Sequence, residues 1–105
     1  MENKYAVIMA TCADEAEAKK IACLLVEKKL AACVQMLPIQ SVYVWQGEVC
    51  SGSEVMLLIK SRAGLFGEIA QAITQNHSYD VPEIVQLPII DGLPSYLNWI
   101  TENSG

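Results

Sequence analysis

A chain of 105 residues has room for one domain and hardly two. It is 52% hydrophobic and 18% charged, more apolar than an average soluble domain, yet no apolar run approaches the roughly 20 residues of a spanning helix. A net charge of −5 without any basic cluster argues against nucleic acid or an anionic membrane surface as partner.

The chain starts "MENKYAVIMA". No basic segment leads into an apolar one there, so it reads as a first strand rather than a signal peptide, and we expect a cytoplasmic protein. Tyr5 to Ala10, with Val and Ile, suits a buried strand. Asp14, Glu15 and Glu17 favour the positive end of a helix, and Lys28 and Lys29 favour the other end. Between them Ala18, Ile21, Ala22 and Leu25 recur at three- and four-residue steps, predicting a helix over about 14–31 with one apolar face.

The segment "ACVQMLPIQSVYVWQGEVCSGSEVMLLIK" is rich in Val, Ile, Tyr and Trp. It reads as two long strands around a turn near Gly47 to Gly52. An arm of ~12 residues is about 40 Å long, whereas a helix of ~17 residues covers only about 25 Å. Part of this hairpin must therefore overhang the domain and find other company. "AGLFGEIAQAITQNH" is a second amphipathic helix through Leu65, Ile69 and Ile73, "EIVQLPII" a fourth strand, and "LPSYLNWITEN" a short closing helix. The order β-α-β-β-α-β plus a terminal helix is the ferredoxin-like α+β pattern, one domain over residues 1–105. Pro38 and Pro88 fall in strands two and four, the edges of that topology, where a residue that cannot donate to the ladder belongs.

The chemistry is sparse. Cysteines 12, 23, 33 and 50 form no CxxC pair, so the usual zinc spacing is lacking. In a reducing compartment they are free thiols, and Cys23 and Cys33, in apolar helix and strand patterns, are expected to pack as small hydrophobes. There is no glycine-rich phosphate loop and no GxSxG, and a single histidine would have to serve any triad. We expect no enzyme.

That histidine, His77, lies in "NHSYDVPEI". It reads either as a hydrogen-bonding residue at a helix end or as a metal ligand, paired with a thiol only where Cys12 or Cys50 comes near it in the assembly. One imidazole cannot hold a metal alone, so Cys12, Asp80, Glu83 or another subunit must add ligands. Glu83 starts an otherwise apolar strand and Lys60 ends the apolar run of strand three. With Tyr79 they suggest a polar cluster closed by a neighbouring subunit, serving as an interface ion pair or as a small-ligand pocket. Tyr43 and Trp45 share one face of strand two near the hairpin tip and read as interface anchors.

"LVEKKLAACV", "SVYVWQGEV", "VMLLIKS", "HSYDVPEI" and "SYLNWI", in this order over about residues 5 to 100, resemble the signature of the CutA-type divalent-cation tolerance proteins. The resemblance implies a ferredoxin-like protomer in a homotrimer, with long hairpins reaching onto neighbouring subunits. It also implies a link to copper and other divalent metals, Cu(II) among them, and to metal tolerance and homeostasis without an established reaction. The trimer is similar in architecture to the PII signalling proteins, so the alternative is a binding module for a small effector or a partner protein. Some bacterial members have a proposed copper site of one cysteine and two adjacent histidines. Position by position these fall on Ala10, Asn76 and His77, so only His77 keeps a ligating side chain.

Overall fold

The computed structural model describes residues 3–105. Strand β1 spans Tyr5–Cys12, helix α1 Glu15–Glu27, β2 Cys33–Trp45, β3 Glu48–Arg62, helix α2 Phe66–Thr74, β4 Ile84–Pro88 and helix α3 Pro94–Glu102. The four strands form one antiparallel sheet in the order β2-β3-β1-β4. Pro38 and Pro88 thus lie on edge strands, as their missing N–H requires.

Alternation along β1 sends Ala6, Ile8, Ala10 and Cys12 to one face, where all are fully buried. Leu57 and Ile59 of β3 join them, and Ile21 and Leu25 of α1 and Ile69 and Ile73 of α2 close the layer. The opposite face carries Val7, Met9, Leu58, Val85 and Leu87, none of them fully buried. Helix α3 is tied to it through the Tyr5 and Thr101 hydroxyls at 2.7 Å.

Helix α1 stops four residues short of the expected residue 31. Lys29 turns left-handed at φ 58°. The Lys29 N–H then donates to the Val26 carbonyl and the Leu30 N–H to the Leu25 carbonyl. This pair of bonds is the Schellman closure, and it folds Leu30 back onto the core. Helix α2 likewise ends at Thr74, so His77 stands in the following loop and not at the last helical turn.

The hairpin turn is tighter than expected. Gln46 and Gly47, at φ 51° and 80°, form the whole turn between Trp45 and Glu48, a two-residue connection whose twist matches the strands. Gly52 is an ordinary strand residue opposite Ser41. Pairing of β3 with β1 ends at Cys12 opposite Val55. Residues 39–45 and 48–54 therefore extend past the body of the sheet, with Val42, Val44 and Val49 at least 70% exposed.

Candidate metal centre and adjoining cleft

Three segments meet at the C-terminal end of β1. The strand ends with Cys12 facing the core, at 0% exposure. Asp14 caps α1 by accepting the Glu17 N–H at 2.8 Å. The Glu17 carboxylate reaches back to the Ala13 N–H at 3.1 Å, a variant of the reciprocal capping box. Its other oxygen accepts the Ser78 N–H at 3.0 Å, which pins the loop after α2 to the start of α1.

His77 is held from both sides. Its Nδ1 accepts the Tyr79 N–H at 3.0 Å. Because that backbone group can only donate, the ring proton sits on Nε2 and is donated to the Thr11 carbonyl at 2.6 Å. Nε2 is also 3.6 Å from the Glu17 carboxylate, and the imidazole has no exposed surface. The Cys12 sulfur, a Glu17 oxygen and a His77 nitrogen all lie within 4.8 Å of one another. This is the one such trio among the described residues.

The electrostatics of the trio are opposed. Burial, reinforced by Glu17, Asp14 and Glu54, pushes the Cys12 thiol up to about 12, so without a cation it stays protonated. Burial also works against charge on Glu17. Hydrogen bonds from Ser78 and Ala13 and attraction to His77 outweigh it and hold the carboxyl below its ordinary value. A thiol, an imidazole and an anionic carboxylate together make a borderline-soft donor set, suited to copper or zinc more than to magnesium or calcium.

Of the residues singled out in the sequence, Cys12 and His77 therefore meet. Glu17 was missed as a site residue, although the D-x-x-E spacing from Asp14 marks a carboxylate folded back over the helix start. Asp80 and Glu83 stand outside the trio.

The expected Lys60–Tyr79–Glu83 cluster does not form within the chain. Lys60 lies opposite Val7 and Cys33 and donates to the Gln35 side chain at 2.8 Å. Glu83 precedes Ile84, which lies opposite Ala10, several residues further along β1, and it is exposed rather than partly buried. Tyr79 instead donates its hydroxyl to Glu54 at 3.1 Å. Burial together with that bond pushes the phenol up to about 12, so it remains a donor. Trp45, Tyr79 and Glu83 do share a surface. They line one cleft of about 630 Å³ between the overhanging hairpin and the loop before β4, and Lys60 is not part of it.

Comparison with known proteins gives one consistent answer. The family described as "CutA1 divalent ion tolerance protein" matches residues 6–103. The divalent-cation tolerance protein CutA of Thermus thermophilus is 44% identical over 94% of this chain and 97% of its own length. Protein CutA of the mouse is 42% identical over 86% of this chain. The chain spans only about half the length of the mouse protein and of the chloroplastic Arabidopsis relative. Among solved structures, the CutA of Archaeoglobus fulgidus, described as a periplasmic divalent cation tolerance protein, superposes with a TM-score of 0.93 at 38% identity, covering 94% of this chain and 97% of that one. CutA1 from a psychrotrophic Shewanella superposes with a TM-score of 0.94 at 40% identity, covering 99% and 98%.

Proposed function

This chain belongs to the CutA1 divalent ion tolerance family, and from that premise we propose that it binds a divalent metal ion, Cu(II) first among them, through Cys12, Glu17 and His77. In this reading it acts as a cytoplasmic homotrimer in metal tolerance and homeostasis, and not as an enzyme. The observation that carries the metal assignment is the convergence of three different donor atoms within 4.8 Å. The cytoplasmic placement rests on the expectation that the four cysteines are kept as free thiols by a reducing compartment.

Loading this site has a proton cost. The Cys12 proton must leave, and Nε2 must give up the hydrogen it donates to Thr11 if it is to face the metal. Affinity therefore rises with pH and falls as protons compete. It is weaker than that of a preorganised four-ligand site, because the Glu17 and His77 donors already serve structural bonds.

The test is calorimetric titration with Cu(II), Zn(II) and Mg(II), plus Co(II) spectroscopy for a thiolate charge-transfer band. We expect His77→Ala to weaken Cu(II) binding several-fold with the assembly intact, and Cys12→Ser to abolish the cobalt band. Copper binding by His77→Ala equal to that of the parent protein would overturn the site. A second reading, a PII-like module for a small effector, is favoured by one observation, the cleft beside Tyr79.

A further inference from the structure

The loop between α2 and β4 is tied down mainly at the metal centre. From Ser78 to Val81, two backbone N–H groups find partners among the described residues, and both partners belong to the trio. The Ser78 N–H donates to Glu17 Oε2 at 3.0 Å, and the Tyr79 N–H donates to His77 Nδ1 at 3.0 Å. The Tyr79 ring also leans on the imidazole, with centroids 4.8 Å apart at 58°, and its hydroxyl reaches Glu54 at 3.1 Å. Neither the His77 imidazole nor Cys12 has exposed surface. An ion reaches these donors only when something covering them moves.

The lone pair of the ring decides which bond must give way. A neutral imidazole has one N–H and one nitrogen lone pair to offer. Here the lone pair is on Nδ1 and is used by Tyr79, while the hydrogen is on Nε2 and is used by the Thr11 carbonyl. Nε2 is the nitrogen that faces Glu17, at 3.6 Å, so the ring turns a hydrogen toward that carboxylate. A cation held through Nε2 leaves the ring hydrogen on Nδ1, where it meets the Tyr79 N–H donor against donor. A cation held through Nδ1 takes the lone pair that Tyr79 uses. On either route the Tyr79 N–H loses its acceptor. Water can replace it, because Tyr79 is 38% exposed. The Ser78 bond survives, since Glu17 faces the ring through Oε1 and holds Ser78 through Oε2.

We propose that Tyr79 is the latch of the metal centre. It holds the loop over His77, fixes the ring in the tautomer that keeps a hydrogen on Nε2, and is released when a divalent cation binds, with the loop pivoting on the bond between Ser78 and Glu17. The proposal rests on the metal reading of Cys12, Glu17 and His77, and adds to it a positioning residue that is not itself a ligand. Coupling of this kind is reciprocal. If the cation loosens the latch, the latch weakens cation binding by the same factor. Tyr79 therefore sets affinity and rate of entry without donating an atom to the metal.

The test is titration of the full chain, in its native assembly, with diamagnetic Zn(II). Binding is followed by calorimetry, and the ring and backbone nitrogens by nuclear magnetic resonance on isotope-labelled protein. The chain has a single histidine, so its two ring nitrogens are assigned without ambiguity. Before zinc is added we expect the hydrogen on Nε2 and a protected Tyr79 amide. At saturation the Tyr79 amide should exchange roughly fivefold faster or more, as expected when one net hydrogen bond is lost, while the Ser78 amide stays protected. Tyr79→Ala, which removes the ring and the tether to Glu54, should bind Zn(II) several-fold more tightly and associate faster than the parent. Tyr79→Phe, which keeps the ring and the N–H, should fall between the two. Asp91→Asn, exposed in the loop after β4, should bind like the parent. A Tyr79 amide that stays protected in the zinc-loaded protein would overturn the latch and leave the metal site standing. Weaker zinc binding by Tyr79→Ala would do the same, since it marks a residue that supports the site. Absence of zinc binding, or zinc binding unchanged in His77→Ala, would overturn the metal site and the latch with it.

Discussion

At the scale of single residues, the C-terminal end of β1 is governed by protons. The Cys12 thiol, raised to about 12 by burial and by neighbouring carboxylates, is doubly protected from electrophiles, since it is neither exposed nor ionised. Alkylation of the native protein with iodoacetamide at pH 8, followed by peptide mapping, should label exposed Cys23 first and Cys12 only after unfolding. Glu17 behaves in the opposite sense. Its folded-state carboxyl sits below the ordinary value of 4.5, so the unfolded chain binds that proton more readily. The stability it contributes is present above pH 4.5 and is lost as pH falls through the lowered folded value. Glu17→Gln should therefore lower the urea midpoint at neutral pH. The difference from the parent should shrink as both proteins are taken well below pH 4.5. A constant difference across that range would mean that Glu17 acts through packing rather than charge.

At the scale of elements, the end of α1 shows where an exposed charged residue carries a backbone cost. Lys29 holds a left-handed conformation at φ 58°, unfavourable by roughly 1–2 kcal/mol for a residue with a Cβ. The Schellman bonds and the return of Leu30 to the core keep it there. Lys29→Gly should stabilise the fold by about 1 kcal/mol, somewhat offset by the greater freedom of glycine in the unfolded chain. Chemical denaturation reads this directly, and a destabilised variant would show that the lysine stem contributes contacts worth more than the strain. The same local chemistry explains the helix boundary. Charge and apolar spacing allow a helix to residue 31, but Leu30 gains more by folding back onto the core than by continuing the turn.

At the scale of the whole molecule, the hairpin sets the shape. The chain measures 44 × 27 × 22 Å with a radius of gyration of 14.2 Å, against about 13 Å for a compact domain of this length. The excess lies in residues 39–45 and 48–54, beyond the last β1 pair. The sheet face opposite α1 and α2 is also incompletely covered, with Val85 and Leu87 nearly half exposed. An apolar face together with an apolar overhang is the usual sign of a surface meant for other chains. On this basis we expect light scattering on dilute protein to give about three times the chain mass of 11.5 kDa. A monomer at micromolar concentration would remove the homotrimer from the proposed function.

Much of this architecture is legible from one sequence because it depends on local periodicity. The apolar steps of α1 and α2, the β-branched runs of the hairpin and the two prolines each favour one element type or one sheet position, and together they leave the ferredoxin-like order as the consistent arrangement. His77 could be nominated because it is the single histidine of the chain, and Cys12 because it stands two residues beyond the position where the family resemblance puts a cysteine. What only the tertiary structure decided is which polar groups meet. Lys60 and Glu83 look like partners in the sequence, but strand register places them at different levels of the sheet. Glu17 looks like a solvated helix-start charge, yet the loop after α2 folds over it and makes it the hub between Cys12 and His77. Register and loop docking bring together residues more than sixty positions apart. No local pattern records such contacts, because their energy comes from the assembled core that holds both ends in place.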